Sequence, residues 1–149
     1  MPGYLELKVD KFTFRIATDR WYNAEGVWAK WEGTQVHIGI SDYLQQRSGD
    51  MAFAEIKPPG TQVNQGEEVA VIETIKVNIS LLSPVSGKVM FVNEAMATTP
   101  EIINQDPYGE GWLAIISVVD FPVQVKQLLD ASSYYEKIRR EATQESRSS

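Results

Sequence analysis

The run Val69-Ala70-Val71-Ile72-Glu73-Thr74-Ile75-Lys76-Val77-Asn78-Ile79-Ser80-Leu81 alternates with a period of two. Its odd positions are apolar except for Glu73, and its even positions, Ile72 apart, are small or polar. Side chains of an extended strand point alternately to its two faces, so this pattern predicts an odd set facing the core and Lys76 facing water. Residues 74–78 contain neither Gly nor Pro, so the residues alone predict one long strand through the lysine rather than a tight turn. An ammonium in an apolar run has no packing reason to be there. Its long stem and acylable amine suit the covalent attachment of a carrier group. The plain alternative is a solvated lysine on an amphipathic strand.

Both flanks carry turn signals. Upstream, Gly60-Thr61-Gln62-Val63-Asn64-Gln65-Gly66 places a glycine at each end of a very short strand, and downstream Ser83-Pro84-Val85-Ser86-Gly87-Lys88-Val89 marks a second turn. A lysine between two such half-hairpins resembles the biotinyl/lipoyl carrier domains, in which two related halves form a flattened barrel and present the modified lysine at a hairpin tip. A second word, Asn104-Gln105-Asp106-Pro107-Tyr108-Gly109-Glu110-Gly111-Trp112-Leu113, reads physically as a turn-rich loop with an aromatic anchor opening an apolar strand. It is similar to a loop of the glycine cleavage system H proteins. So are Gly39-Ile40-Ser41-Asp42-Tyr43, Gly49-Asp50-Met51-Ala52-Phe53, Val92-Asn93-Glu94 and Pro100-Glu101-Ile102-Ile103-Asn104, in that order. The resemblance runs from about residue 28 to about residue 135.

The remaining pattern is compatible with a mainly β chain with short peripheral helices and a C-terminal helix. Segments 11–16 and 27–40 read as strands, the second broken at Glu32-Gly33. Ser41 is placed to cap a short helix closed before Gly49, and Thr99-Pro100 to start another that stops before Pro107. Residues 125–129 and 132–141 read as helix, while 143–149 have nothing to bury and are expected to be disordered. The expected division is an N-terminal extension with an edge strand (1–20), a lipoyl-carrier barrel-sandwich hybrid (21–120), a helical segment (121–142) and the tail (143–149). The 149 residues carry a net charge of −6 and no cysteine. That charge argues against nucleic-acid or anionic-membrane surfaces, and the missing thiols exclude disulfides and thiolate chemistry. No apolar run approaches a spanning helix, and the mixed charges of the first twenty residues fit no targeting peptide, so a prokaryotic cytoplasm is the expectation.

Signals for catalysis are poor. His37, the single histidine, sits in the strand pattern Gln35-Val36-His37-Ile38 with no nucleophile motif beside it. Metal-ligand spacings are absent. The four tryptophans, Trp21, Trp28, Trp31 and Trp112, could form a carbohydrate platform, but packing explains them more simply.

The resemblance implies a non-catalytic carrier with lipoate amide-linked to Lys76, the group supplying the chemistry and the protein its presentation. Biotin is disfavoured because Ile75 and Val77, not methionines, flank the lysine. Glu73 and Gly87 match positions that the lipoylating enzyme reads in the family; their plain roles are a solvated carboxylate and a turn glycine requiring positive φ. The chain departs from the family's Glu-Ser-Val-Lys-Ala-Ala-Ser-Asp with Glu73-Thr74-Ile75-Lys76-Val77-Asn78-Ile79-Ser80, and from its Ser-His-Glu-Trp with Glu25-Gly26-Val27-Trp28. Gly26, Val27 and Ser80 therefore stand where polar residues help hold an aminomethyl-loaded arm. That pattern is similar to the lipoate-binding proteins of the heterodisulfide-reductase-like sulfur-oxidation pathway. It implies sulfur cargo as the first expectation, the glycine cleavage aminomethyl shuttle as the second and an unmodified scaffold as the third. Implied partners are a lipoate ligase or octanoyl/lipoyl transfer enzymes, dihydrolipoyl dehydrogenase, and either the sulfur-oxidising complex or the glycine cleavage enzymes.

Overall fold

In the computed structural model, which describes residues 3–148 and the side chains of 3–145, the chain opens with a hairpin. Strands β1 (Tyr4–Val9) and β2 (Phe12–Ala17) reverse at Asp10, whose φ is 55°. The sequence predicts a single strand there; the second arises because Leu5, Leu7 and Val9 pair with Ile16, Phe14 and Phe12 along one face. A meander follows, β3 (Trp21–Tyr22), β4 (Val27–Glu32) and β5 (Gln35–Ile40), leading into helix α1 (Asp42–Ser48). Then come β6 (Met51–Ile56), β7 (Gln62–Val63), β8 (Glu68–Thr74), β9 (Asn78–Leu82) and β10 (Gly87–Val92). Two one-turn helices, α2 (Ala95–Thr98) and α3 (Ile102–Gln105), precede β11 (Ala114–Ser117). The chain finishes with α4 (Phe121–Gln124), a 3-10 turn (Val125–Gln127) and α5 (Ala131–Ser148).

A six-stranded antiparallel sheet, ordered β3-β4-β5-β11-β10-β7, faces a three-stranded one, β6-β8-β9, across a shared apolar core. Val36, Ile38, Val89 and Ile116 supply one side, and Ile72, Ala70 and Leu81 the other. This is the expected mainly β flattened barrel with short peripheral helices. Tyr22 and Trp28 belong to a second apolar cluster, in which Leu7, Phe14 and Ile16 of the hairpin meet Tyr43 of α1 and Tyr134, Ile138 and Ala142 of α5. Of the tryptophans, Trp28 is buried, while Trp31 is half exposed and tilts against Phe121.

Local physics explains the helix ends. Ser41 caps α1 as its sequence position predicts, accepting the Leu44 N–H at 3.1 Å. Thr99 and Pro100 instead form the turn before α3, their carbonyls accepting from Ile102 and Ile103, and Glu101 takes the cap position. α5 continues to Ser148, well past residue 141, where the sequence reading ends the helix and expects a disordered tail. Ala142, the last residue of the expected helical segment, is buried against the second cluster, and beyond it Glu145 is ion-paired with Arg47, which holds the helix on. Ser149 lies outside the described residues. No described helix is long and apolar enough to cross a membrane.

α5 is fastened to α1 through a buried hydroxyl pair, Tyr134 Oη and Ser41 Oγ at 2.7 Å, and its Tyr134 ring stacks on Tyr22 at 4.4 Å. Burial raises the Tyr134 phenol well above its ordinary pKa, so it stays a neutral hydroxyl. Tyr134→Phe keeps the ring stack and removes one hydroxyl of a buried pair, and should cost about 1 kcal/mol in urea unfolding. Tyr134→Ala should cost roughly 3–5 kcal/mol, as deletion of a buried aromatic does.

Candidate functional site

The strand read through Lys76 is in fact two strands and a reversal. β8 pairs with β9 so that Ile72 faces Ile79 and Glu73 faces Asn78, leaving Ile75 and Lys76 as the turn. Opposite residues of this ladder differ in parity. The inward set is therefore even on β8 (Ala70, Ile72, Thr74) and odd on β9 (Ile79, Leu81), not odd throughout as the sequence predicts. A bulge between Glu68 and Ala70 explains why Val69 is buried as well. Lys76 is exposed, as expected, but because it lies on a hairpin tip rather than on an outward strand face. Ile75 beside it is 83% exposed, an apolar side chain that the odd-face reading places in the core.

Two-residue hairpin loops normally use Gly or Asn because their preferred turns need positive φ. Here Asp10 is the only described non-glycine residue with positive φ, so the reversal is built differently. Thr74 Oγ1 accepts the Lys76 N–H at 3.2 Å and the Val77 N–H at 3.0 Å, and donates to the Val77 carbonyl at 3.1 Å. The Thr74 N–H closes the loop on the same carbonyl at 2.8 Å. A threonine hydroxyl mimicking a backbone turn was the available sequence signal, and it is weaker than a glycine.

The residues singled out from sequence divide. Glu73 lies at the end of β8, exposed, next to Phe53 on one side and Asn78 on the other, so it borders the tip. Gly87 does not. β9 and the 83–86 connection separate it from the tip, and it opens β10 in the opposite sheet, paired with Val63. Its reason for being glycine also differs from the expected one. Its φ is not positive, and a Cβ there would lie 2.1 Å from the Ser117 carbonyl oxygen, so β11 passes too close for any side chain. His37 sits on β5 across from Lys30 and Ile115, edge-on to Trp112 at 5.9 Å, with its Nδ1 lacking a hydrogen-bond partner. Burial lowers its pKa. Among the described residues, no group of acidic and histidine side chains is placed to hold a metal.

The turn-rich loop 104–113 is a clamp. Asn104 Nδ2 donates to Gln45 Oε1 (3.0 Å) and to the Gly49 carbonyl (2.9 Å), while its Oδ1 accepts the Met51 N–H (2.9 Å). Tyr108 Oη donates to the Arg15 carbonyl at 2.7 Å, and its hydroxyl accepts the Asp42 N–H. Burial raises the Tyr108 phenol to about 12, so it remains a donor. Arg20, buried, stacks over Trp28 (4.6 Å) and Tyr108 (5.1 Å) and donates to the Tyr108 carbonyl. The loop thus fixes α1, the start of β6 and the N-terminal hairpin about the tip.

Lys76 itself lines a groove of about 300 Å³ with Val9, Phe12, Phe14 and Tyr43 as its apolar wall and Asp10, Gln46, Arg47 and Glu145 as its polar rim. Its Cε passes close to Gly49, 3.7 Å from where a Cβ would stand. A rigid β body offering one lysine on a hairpin tip, over a groove of apolar wall and polar rim, has the form of a carrier domain.

Comparison with known proteins agrees. The glycine cleavage H-protein family model matches residues 20–141. A glycine cleavage system H protein of Thermus thermophilus is 42% identical over 127 residues, covering 85% of this chain and 98% of that protein. A probable one from Aeropyrum pernix is 36% identical over 136 residues, covering 91% and 94%. The crystal structure of a glycine cleavage system H protein from Mycobacterium marinum superposes with a TM-score of 0.74 at 32% identity, over 80% of this chain and 96% of that one. The chain belongs to the glycine cleavage H-protein family. Proteins of this family are non-catalytic carriers of lipoate held covalently on a lysine. The sequence expectations of a carrier rather than an enzyme, and of lipoate as its group, are met.

Thr74→Val removes the turn's hydroxyl at constant shape. It should lower stability by about 1 kcal/mol and speed amide exchange at Lys76 and Val77, whereas Thr74→Ser should preserve both. Gly87→Ala should destabilise by more than 1 kcal/mol through the clash with Ser117, read as a lower denaturation midpoint.

Proposed function

We propose that lipoate is amide-linked to Lys76 and that this chain shuttles the aminomethyl group of glycine cleavage. Its stops would be the decarboxylating enzyme, the aminomethyltransferase and dihydrolipoyl dehydrogenase. The observation that carries the attachment is the tip itself, where the turn residue Lys76 is exposed and the backbone beneath it is held by Thr74. When bound, the group supplies a disulfide/dithiol couple that accepts and releases cargo. The chain's own residues do the rest. The hairpin holds the amine clear of the barrel, and Glu73, at the foot of the tip, is the side chain that a lipoate ligase or lipoyl-transfer enzyme would read. Gly87 is proposed to aid modification only through the fold it permits, since it lies away from the tip. Tethering raises the group's effective concentration at each partner without a tight complex.

The aminomethyl cargo is supported by the relatives, which are named as glycine cleavage proteins over nearly their whole length. A sulfur-carrying role in a heterodisulfide-reductase-like pathway is the second reading. It is favoured by Arg47 on the groove rim, by Val27 turned into the core, and by Gly26, where a Cβ would meet Tyr134 Oη at 2.9 Å and no longer side chain fits.

Intact mass and peptide mapping of the protein from its native cells should place a lipoyl increment on Lys76. Lys76→Arg should lack the increment while unfolding within about 0.5 kcal/mol of wild type, as substitutions at exposed positions do. A bare Lys76 in cells that use the protein would refute the attachment. Restoration of glycine cleavage in a strain lacking its own H protein is the expected result for the aminomethyl cargo. Failure to restore it, with extra sulfur retained on the increment, would favour the second reading.

A further inference from the structure

We propose that the open edge of β9, which begins just after Lys76, pairs with an extended basic strand of the enzyme that acylates that lysine. The inference rests on attachment at Lys76.

The three-stranded sheet has two edges with different fates. On one, α2 lies against β6, and Asn104 Oδ1 accepts the N–H of Met51 where that strand begins. On the other, β9 pairs with β8 alone. Opposed residues of an antiparallel ladder alternate between pairs that exchange hydrogen bonds and pairs whose polar groups point away from each other. The Thr74 N–H bonds the Val77 carbonyl, so Thr74–Val77 and Ile72–Ile79 are of the first kind. Glu73–Asn78 and Val71–Ser80 are then of the second, and the N–H and C=O of both Asn78 and Ser80 point out of the edge. Among the described residues, none bonds these four groups. Farther along the edge closes, where Asn23 Nδ2 donates to the Leu82 carbonyl at 2.9 Å. The free stretch therefore lies against the tip.

Exposed edges are normally guarded by charges, proline or a bulge. Asn78-Ile79-Ser80-Leu81-Leu82 holds no charge and no proline, and the irregularity of its ladder lies at the far end, between Glu68 and Ala70. Such an edge is a template for strand addition, in which main-chain bonds give affinity and alternate side chains give specificity. The sheet sets the chemistry of the added strand. A residue opposite Ile79 shares its inward face and is apolar, while those opposite Asn78 and Ser80 share the outer face. Glu55, Glu68 and Glu73 are exposed there, with Ser80 Oγ donating to Glu68 at 2.6 Å, and β6, β8 and β9 contain no lysine or arginine. Lysine or arginine at the outer positions meets that charge.

The acylating enzyme is the partner that must bring Lys76 Nζ itself to an activated acyl donor. The N–C bond forms as the acyl carbon's bond to its leaving group breaks; the leaving group keeps the electron pair and the ammonium gives up two protons. Partners that act on the finished arm receive it at a distance from the barrel. A strand paired at Asn78 fixes the height and direction of the tip, which is what holding the amine at reacting distance requires.

The test uses the full-length unmodified protein and a purified lipoate ligase that modifies wild type with lipoate and ATP, the adduct being located on Lys76 by mass. Initial rates give kcat/KM for wild type, Ser80→Pro and Val119→Ser. Proline at position 80 deletes an edge N–H that the β8 ladder does not use, so the sheet keeps its bonds, as the urea midpoint will report. Ser80→Pro should lower kcat/KM at least about tenfold, through KM. Val119→Ser, at a fully exposed position after β11, should leave it unchanged. Equal values for wild type and Ser80→Pro would overturn the edge and leave attachment standing, whereas a bare Lys76 in native cells would overturn the attachment. Wild-type KM should rise with added salt, and a flat profile would overturn the basic strand. If Ser80→Pro does not fold, amide hydrogen exchange of wild type with and without ligase decides. Slower exchange at Asn78 and Ser80 is expected, and slowing confined to 74–77 would overturn the proposal.

Discussion

The site depends on the register of one hairpin. Because Ile72 faces Ile79 across β8 and β9, the chain has only Ile75 and Lys76 with which to reverse, and neither can reach the interior. The inward pairs Ile72–Ile79 and Ala70–Leu81 fix that register, since a one-residue slip would turn the whole inward set to solvent. The exposure of Lys76 is thus enforced by core packing below it. Thr74 completes the constraint: it is the last inward residue of β8, and its hydroxyl stands in for the turn glycine that the chain lacks. One side chain both closes the barrel and aims the tip.

Around this tip the structure adds a second layer of control that the barrel alone would not provide. The loop 104–113 ties together elements far apart in sequence. Asn104 joins α1 to β6, Tyr108 joins α1 to the N-terminal hairpin, and the Pro107 carbonyl accepts from the buried Trp28 indole at 3.1 Å. Arg20 lies between the rings of Trp28 and Tyr108, its charge met by Asp19 at 2.8 Å, so a cation holds the loop against the sheet without leaving a buried charge unpaired. These contacts are polar and directional, and they position rather than merely fill. The barrel interior, by contrast, is built mostly of aliphatic side chains.

Much of this was legible in the sequence, and the failures have specific causes. The meander of β4 and β5, the Ser41 cap and the Gly60–Gly66 turns follow from local chemistry that tertiary contacts do not override. The parity of the lysine run was misread because period-two alternation is a property of a strand and does not carry across a reversal. A two-residue turn exchanges odd for even, and a run without Gly or Pro conceals where the exchange occurs. Gly87 was assigned to a turn because glycine is common in turns. Its actual reason, the Ser117 carbonyl on a strand thirty residues away, is a close approach that no local pattern contains. Residues 143–149 carry no apolar pattern, so the sequence leads to a disordered tail; the partner of Glu145, Arg47 of α1, comes from a packing that only the assembled fold creates.

The N-terminal hairpin and the last turns of α5 share one consequence. The hairpin and the last turns of α5 do not touch the barrel's main interior; they pack on each other, on α1 and on Tyr22 and Trp28. They bury Leu7, Phe14 and Ile16 with Tyr22, Trp28, Tyr43 and Tyr134, and so add a second apolar core to that of the two sheets. They also change the environment of one exposed side chain, Lys76. Without Val9, Phe12, Phe14 and Glu145, the tip would stand free over open solvent; with them, Lys76 looks along an apolar wall toward a polar rim. The hairpin and α5 therefore serve two ends at once: they complete the second apolar core, and they set an apolar wall beside the hairpin tip.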